Sequence, residues 1–300
     1  MSAWVPLVVA LLCAPLLGGI VNRVKALFAG RKGRPLLQLY FDLFKLLRKG
    51  EVISRTTSWP FAVGSSLYLA STICALMLVP FGPLFPPFGF RGDFIFMAYL
   101  LAFGRFALVL AALDTGSSFE GMGASREAAF SAVAEPVIFV AFLALGANTL
   151  PSLQSFFANA SFQIWTFTRP ELLLVPLVLF ILLLVENCRI PVDDPNTHLE
   201  LTMIHEVIIL DHSGPNLAFI LYASALKLWL FALLLVNVLV PDFHDSNIEY
   251  LVVIAAIFIV AALVGLVESC MARLRMPLVP QLLGVAGILA ILVLLLTLLR

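Results

Sequence analysis

Ionisable residues are concentrated in one stretch of this apolar chain, residues 185–215. The stretch holds six of the 18 acidic residues and three of the four histidines. Glu200 lies at the centre of the apolar face of an amphipathic helix that the residue spacing predicts over about 198–210. A carboxylate on an apolar face is costly unless it is paired or protonated. Glu200 is therefore our first candidate for proton transfer, with a structural ion pair as the alternative.

Three charged residues, Arg105, Glu135 and Lys227, interrupt apolar segments that are long enough to cross a membrane. Each charge costs about 2.5–3.5 kcal/mol at the centre of a bilayer, so it needs a role. The three could pair with one another as polar contacts between helices, or Glu135 could titrate on a proton or ion path beside a movable positive charge. Pro136 frees a backbone carbonyl next to Glu135, which would help to hydrate such a path.

Further acidic residues near the predicted inner ends of the helices could lead protons to Glu135. In this hypothesis they form an acidic funnel that begins beside Glu200 and ends in the middle of the membrane. Its other members are Asp114, Glu120, Glu127, Glu186 and Glu268.

Metal and nucleotide sites are not expected in this chain. His198, His205 and His212 recur every seven residues, but they do not form the HExxH pattern of a zinc helix, and contact with a partner explains them better. The four cysteines are isolated in the sequence. Iron–sulfur clusters need several converging thiolates, so we expect them in partner subunits.

The Gly- and Ser-rich residues 114–127 lack a P-loop lysine, and we expect a tight loop against another subunit there. No nucleic-acid partner is expected.

The composition indicates that membrane helices carry these residues. Hydrophobic residues make up 62% of the 300-residue chain, the mean hydropathy is +1.06 and the formal net charge is zero. Soluble domains are nearer one half apolar, and a bilayer requires about 20 apolar residues per helix. The predicted fold is an all-α integral membrane protein with about eight transmembrane helices, in which residues 1–300 form a single polytopic domain. The segments of sufficient length are 4–27, 61–80, 94–113, 127–148, 170–188, 216–240, 250–270 and 279–299.

Basic residues are unevenly distributed between the two predicted sides. With an outer N-terminus, 13 lysines and arginines lie on the inner side and three lie on the outer side. Because basic loops are retained in the cytoplasm, we expect loops 28–60, 114–126, 186–215 and 271–278 there. The charge order around the first segment is opposite to that of a cleaved signal peptide, so we expect a retained helix.

A second amphipathic helix is predicted over residues 35–49, where apolar and polar side chains fall on opposite faces. With the helix over about 198–210, it gives two amphipathic helices on the cytoplasmic side. The helix over 35–49 could bind anionic lipid, at about 1 kcal/mol per basic residue, or form a docking ledge for a soluble subunit. Residues 150–170, on the outer side, are expected to form a polar and aromatic loop.

Four groups of residues resemble one family of membrane proteins. They are GRPLLQLYFDLFKLL in the first inner loop, LDTGSSFEGMGASREA followed by AEP, ENCRIPVDDPNTHLEL followed by LDHSGP, and ESCMARLR before the last segment. Over nearly the whole chain the sequence is similar to the subunit 1 family of proton-translocating NADH:quinone oxidoreductase, complex I. It more closely resembles the branch in membrane-bound nickel–iron hydrogenases, which includes hydrogenase-4 component C and formate hydrogenlyase membrane subunits.

The charged loop after the fifth segment carries most of this resemblance. In complex I it typically reads E-x-N-R-x-P-F-D-L-P-E-A-E-x-E-L. Glu135 also matches a membrane glutamate of the family, and Arg273 and Arg275 match a basic pair. Asn196 and His198 replace two acidic residues of the loop, which favours the hydrogenase branch over a quinone site. The residues that match the loop are Glu186, Arg189, Pro191, Asp193, Pro195, Glu200 and Leu201.

The resemblance implies a non-catalytic membrane subunit of an energy-converting hydrogenase or complex I-like oxidoreductase in the prokaryotic inner membrane. Such a subunit would seat hydrophilic hydrogenase-like large and small subunits, which hold iron–sulfur clusters and a nickel–iron centre. It would couple their electron transfer to proton or ion translocation through antiporter-like membrane subunits. The chain itself would hold no cofactor; membrane lipid would surround it, and quinone is an open alternative partner.

The implied functional residues fall into two groups. The group expected on the coupling path is Glu200, Glu186, Glu135, Arg105, Lys227, Asp114, Glu268 and Asp193. The group expected to dock soluble subunits is Gln38, Asp42, Lys45, Arg126, Arg189, His198, His205, Arg273 and Arg275.

Two other functions fit parts of the pattern. A stand-alone secondary transporter would show internal repeats and broken helices at mid-membrane, and the sequence has no convincing repeat. A passive anchor for a soluble oxidoreductase would explain the charged loops but not Arg105, Glu135 and Lys227.

Overall fold

Helices are the main elements of the fold in the computed structural model, which describes residues 4–82, 84–146, 152–193, 203–241 and 246–299. Short 3₁₀ turns, Pro170–Leu173 and Met276–Leu278, directly precede two of the helices. The α-helices are α1 (Val5–Phe28), α2 (Gln38–Leu47), α3 (Trp59–Leu76), α4 (Asp93–Asp114), α5 (Ser118–Gly146), α6 (Leu153–Trp165), α7 (Leu174–Glu186), α8 (His205–Ile208), α9 (Gly214–Leu239), α10 (Ser246–Cys270) and α11 (Val279–Leu298).

Seven helices in the described part of the chain, α1, α3, α4, α5, α9, α10 and α11, are long and apolar enough to cross a membrane. An eighth span requires α6 and α7 together, and these two segments are bent by 111° at the break between them. The predicted all-α membrane fold is confirmed. α7 ends at Glu186, short of the predicted residue 188, because Asn187 leaves the helix and Cys188 has a φ of +46°.

Loops from distant parts of the sequence meet at one end of the helix bundle, which we call the basic end. Val52 N–H donates a hydrogen bond to Ser213 Oγ at 3.0 Å, and Leu274 N–H donates to Pro191 O at 2.8 Å. The segments that meet there are 29–58, 115–117, 187–193, 203–213 and 271–275. At the opposite end, the Asp93 carboxylate accepts from the first N–H of α6 at 2.8 Å.

α9 forms the centre of the bundle because it is apolar on nearly every side. Trp229 and Leu230 are fully buried, and the helix packs against α1, α3, α7 and α10. Asn237 anchors the far end of α9, since its amide donates to Pro80 O at 2.7 Å and accepts from Gly82 N–H at 3.2 Å. This packing holds Lys227, the one lysine of α9, in the interior.

α2 lies beside the basic end with an apolar surface outward. Phe41, Phe44 and Leu47 are exposed, whereas Gln38 and Asp42 face a cavity inside the protein and hydrogen-bond to each other at 2.9 Å. An outward apolar face is typical of a helix that lies in the membrane interface. The predicted amphipathic helix therefore exists, and two residues expected on a docking ledge face inward.

The prediction of a loop over residues 150–170 is wrong, because Leu153–Trp165 forms α6. Ser152 caps the helix by accepting a hydrogen bond from Ser155 N–H at 3.4 Å. Phe156, Phe157 and Ile164 are buried on one side of α6, while serine, asparagine and glutamine interrupt the apolar pattern in the sequence.

The tight loop predicted over residues 114–127 ends at Ser117, because α5 begins at Ser118. Glu120 lies in the first turn of α5, where a negative charge is favourable. Gly123 packs tightly against the chain that precedes α8, since an added Cβ would lie 3.1 Å from Ile204 O. Glycine is needed here for close packing of a helix, whereas the sequence analysis interpreted it as a sign of a loop.

The amphipathic helix predicted over about 198–210 falls partly outside the described residues. Glu200 and His198 both lie outside them. In the part that is described, from Met203 onward, the helix extends only over His205–Ile208, and Val207 and Ile208 bury its apolar side.

The packing of α3 on α4 can be tested at Gly64, where an added Cβ would lie 2.8 Å from Ala111 Cβ and 3.0 Å from Ala107 O. We expect Gly64→Val to lower the unfolding temperature of the detergent-solubilised protein, because overpacking costs about 1–3 kcal/mol. Gly284→Val is the control, since nothing lies within 4 Å of the Cβ added there. Equal unfolding temperatures for the two variants would contradict this packing.

Candidate functional site

A central ionic cluster joins four helices inside the bundle. Arg105 of α4 donates from Nη2 to Glu186 Oε2 at 3.0 Å and from Nη1 to Glu135 Oε1 at 3.3 Å. Arg105 Nε lies 3.8 Å from Glu127 Oε1. Lys227 Nζ, on α9, lies 2.9 Å from Glu186 Oε2. The central ionic cluster consists of these five residues.

The sequence positions these groups through helix geometry. Glu127 and Glu135 are eight residues apart on α5, slightly more than two turns, so both reach Arg105. Glu186 is the last residue of α7, and the early end of that helix leaves it beside Lys227. Of the two ion pairs considered for Glu135 from the sequence, the one with Arg105 forms, whereas Lys227 pairs with Glu186.

The cluster has an excess of negative charge when all its groups are ionised, with two cations and three carboxylates. The Glu186 side chain is only 3% exposed between its two cations, whereas the Glu135 side chain is 37% exposed at the surface of the bundle. Buried charges persist when they are paired with good geometry. Glu186 is thus the enclosed centre of the cluster, and Glu135 is its contact with the outside.

Two cavities lie between the cluster and the basic end. The small cavity, about 30 Å³, is bounded by Tyr68, Glu127, Glu186 and Lys227. The volume of the small cavity exceeds the roughly 10–15 Å³ that one water molecule needs. The large cavity, about 250 Å³, opens between α1, α2, α8 and α9. Its polar lining includes Asn22, Arg34, Gln38, Asp42, Arg189, Asp193, His205 and Glu206.

Two histidines near the basic end are held in the neutral form. Burial lowers the pKa of His205 to about 4, and the positive charge of Lys227 contributes to this. Burial also lowers the pKa of His212 to about 4, and its ring stacks on Phe61 with the centroids 4.3 Å apart. His205 faces cavities within the protein, which differs from its expected place on a docking surface.

The predicted acidic funnel is assembled only in part. Glu127, Glu135 and Glu186 meet in the central ionic cluster, whereas the other described members have separate partners. Glu268 pairs with Lys25 at 2.9 Å and with Arg189 at 3.5 Å. Of the remaining two, Asp114 accepts hydrogen bonds from Ser58, and Glu120 accepts one from Asp211 N–H.

Asp193 and three arginines named for coupling or docking form internal contacts. Asp193 pairs with Arg273 at 2.9 Å and accepts a hydrogen bond from Ile204 N–H at 2.7 Å. Arg189 pairs with Glu268, and Arg126 donates to Met203 O at 2.9 Å. Lys45 and Arg275 remain exposed at the basic end. Docking at these positions stays a prediction.

Sequence reasoning missed several residues that line the small cavity. Tyr68, Asn187, Cys188 and Ser224 each contribute to its wall. The position of Cys188, two residues after Glu186 at the end of an apolar segment, was a usable signal. Tyr68 and Ser224 gave no signal, because isolated hydroxyl side chains are common in membrane helices. Among the described residues, no group of three His, Cys, Asp or Glu side chains could hold a metal ion.

Removing one cation tests whether charge balance stabilises the cluster. Lys227→Met leaves three carboxylates against one cation, and breaking a buried pair costs about 3–5 kcal/mol. We expect a clear fall in the unfolding temperature of the detergent-solubilised protein. Lys227→Met combined with Glu186→Gln restores the original charge excess, so it should unfold at a higher temperature than the single variant. A double variant no more stable than Lys227→Met would contradict this charge coupling.

The chain is similar to known proteins in family, sequence and structure. A family profile described as NADH dehydrogenase (NADHdh) matches residues 1–299. Hydrogenase-4 component C of Escherichia coli (strain K12) is 27% identical over 275 residues, covering 89% of this chain and 86% of the relative. Formate hydrogenlyase subunit 4 of the same strain is 28% identical over 296 residues, covering 94% of each chain.

Two further proteins are similar to this chain, one in sequence and one in structure. A subunit of the NADH-quinone oxidoreductase of Chlorobaculum parvum is 27% identical over 196 residues, which cover 63% of this chain and 54% of the relative. A chain in the solved structure of the membrane-bound sulfane sulfur reductase, an archaeal respiratory membrane complex, superposes with a TM-score of 0.82 at 19% identity, covering 98% of both chains. Because the family profile spans nearly the whole sequence, this protein belongs to the NADH dehydrogenase (NADHdh) family.

Proposed function

We propose that this protein is the membrane subunit in which a hydrogenase-like or complex I-like complex converts redox events into proton movement. The proposal rests mainly on one observation, the Glu186 carboxylate enclosed between Arg105 and Lys227. Relatives named as subunits of a hydrogenase, a formate hydrogenlyase and an NADH-quinone oxidoreductase support it.

The arrangement of charges around Glu186 can turn a small displacement into a change of protonation. Two unit charges 4 Å apart interact by about 4 kcal/mol at an effective dielectric constant near 20. Withdrawing one cation would remove this favourable interaction from the Glu186 carboxylate, which would favour its protonation. Movement of the basic end, or a charge placed there, could act through Lys227 in this way.

The basic end is the proposed input side. Its large cavity is lined by Arg34, Asp42, Arg189 and Asp193, so its field would respond to charge in a docked subunit. We propose that hydrophilic large and small subunits dock there and carry the iron–sulfur clusters and the nickel–iron centre. By the positive-inside rule, we propose that this end lies on the cytoplasmic side of a prokaryotic inner membrane.

The exposed side of Glu135 is the proposed output. Its partly exposed carboxylate lies on α5 beside Val133 and Pro136, which are exposed as well. A charged group facing lipid at this depth costs about 2.5–3.5 kcal/mol, so contact with another membrane subunit is favoured over contact with lipid. An antiporter-like subunit packed on α5 would remove that cost and could receive the proton.

Quinone binding is a second candidate function because of the large cavity. Its volume, about 250 Å³, is slightly below the range of small-molecule pockets, about 300–1,000 Å³. Arg34, Gln38 and Asp42 supply polar groups that could orient a quinone head group. In that case the electron acceptor would bind against this chain instead of inside a partner subunit.

Glu186→Gln tests the proposed coupling. In the complex purified with its partners and reconstituted in liposomes, we expect proton translocation to fall by about 100-fold, the usual contribution of a positioned acid or base. The measurement is dye-detected proton movement alongside electron transfer. Asp93→Asn is the matched control: it removes one carboxylate of α4 at the opposite end, and Oδ1 can still accept from Leu153 N–H.

The two variants give distinguishable results. Loss of translocation in Glu186→Gln with full translocation in Asp93→Asn is the expected outcome. Wild-type translocation in Glu186→Gln would contradict the proposal and would favour a passive anchor.

A further inference from the structure

The large and small cavities share a wall one residue thick. Asn187, Cys188, His205 and Ser224 line both cavities. A proton that moves from the large cavity to the central ionic cluster by the shortest route must therefore cross between these four side chains.

His205 occupies this wall at the start of α8. Its Nε2 atom is buried and has no hydrogen-bond partner among the described residues. The charges that act on its ring are Lys227 from α9 and Asp193 and Arg189 from the turn after α7, while Glu206 follows it on α8. Because Lys227 also contacts Glu186, the ring lies next to the innermost pair of the cluster.

We propose that His205 is the residue that carries protons through this wall into the central ionic cluster. The inference rests on the proposed coupling function and adds a carrier to it. One ring nitrogen accepts a proton from water in the large cavity, and the other releases a proton to the small cavity, where Glu186 accepts it. The imidazole is then neutral but in its other tautomer, and rotation of the ring restores the starting arrangement, so each cycle moves one proton to Glu186 and leaves His205 uncharged.

The other three wall residues are poorly suited to this role. Burial raises the pKa of the Cys188 thiol well above its usual value, so the thiol stays protonated. The Asn187 amide donates to Leu183 O at 2.9 Å, and the Ser224 hydroxyl donates to Ile220 O at 3.0 Å. Neither of these groups gains or loses a proton readily, whereas an imidazole can accept a proton at one ring nitrogen and release one from the other.

The lowered pKa of His205, about 4, suits a carrier that is unprotonated before it accepts a proton. The neutral ring has one free acceptor, and an imidazolium formed beside Lys227 would release its proton readily. Movement of Lys227 away from the ring would raise the affinity of His205 for a proton, which would link proton uptake to the state of the cluster.

The test compares His205→Gln with His212→Gln in the reconstituted complex. Both histidines have a pKa lowered to about 4, but His212 stacks on Phe61 and lines neither of these cavities. We expect His205→Gln to slow proton translocation by about 100-fold and His212→Gln to leave it unchanged. Wild-type translocation in His205→Gln would overturn the assignment of His205.

Chemical rescue separates proton transfer from a structural role. His205→Ala enlarges the wall next to a cavity of about 250 Å³, which can admit imidazole. Added imidazole should restore translocation, and the restored rate should rise as the fraction of neutral imidazole rises with pH. An assembled variant that imidazole does not rescue would overturn the proposal.

Comparison with Glu186→Gln shows which proposal has failed. If Glu186→Gln stops translocation but His205→Gln does not, the coupling function stands and His205 is not the carrier. If neither substitution affects translocation, both proposals are wrong.

Discussion

The burial of one carboxylate, Glu186, between two cations is the interaction on which the rest of this structure depends. Its side chain is 3% exposed, and its partners Arg105 and Lys227 come from α4 and α9. An unpaired charge at this depth would cost several kcal/mol. The helices must therefore hold both cations, from two other parts of the sequence, at about 3 Å from Glu186. Loss of either cation would favour protonation of Glu186.

The packing around α9 meets this requirement. Small residues let α3 approach α4 closely, as at Gly104, where an added Cβ would lie 2.2 Å from Ser71 Oγ. At the basic end, ion pairs such as Asp193 with Arg273 connect the loop after α7 to the loop after α10. The result is a closely packed membrane interior that ends in a polar cavity, so a change at the basic end can reach Glu186 through few intervening residues.

The sequence was sufficient to predict the helical membrane fold and part of the site. The continuous apolar segments gave the spans, and the cost of charge in lipid singled out Arg105, Glu135 and Lys227. Glu186 was expected near the inner surface, and its position in the sequence did not reveal that Arg105 and Lys227 enclose it. Contacts such as Glu268 with Lys25, on α10 and α1, depend on helix packing that spacing along the chain does not encode.

Redox-induced infrared difference spectroscopy of the complex tests the central claim most directly, because it detects protonation of individual carboxylic acids. If Glu186 couples redox events to proton movement, reduction of the complex should produce a carboxylic-acid C=O band that is absent from the Glu186→Gln variant. An identical carboxylic-acid region in the wild-type and variant spectra would show that Glu186 does not change its protonation, and would contradict the account.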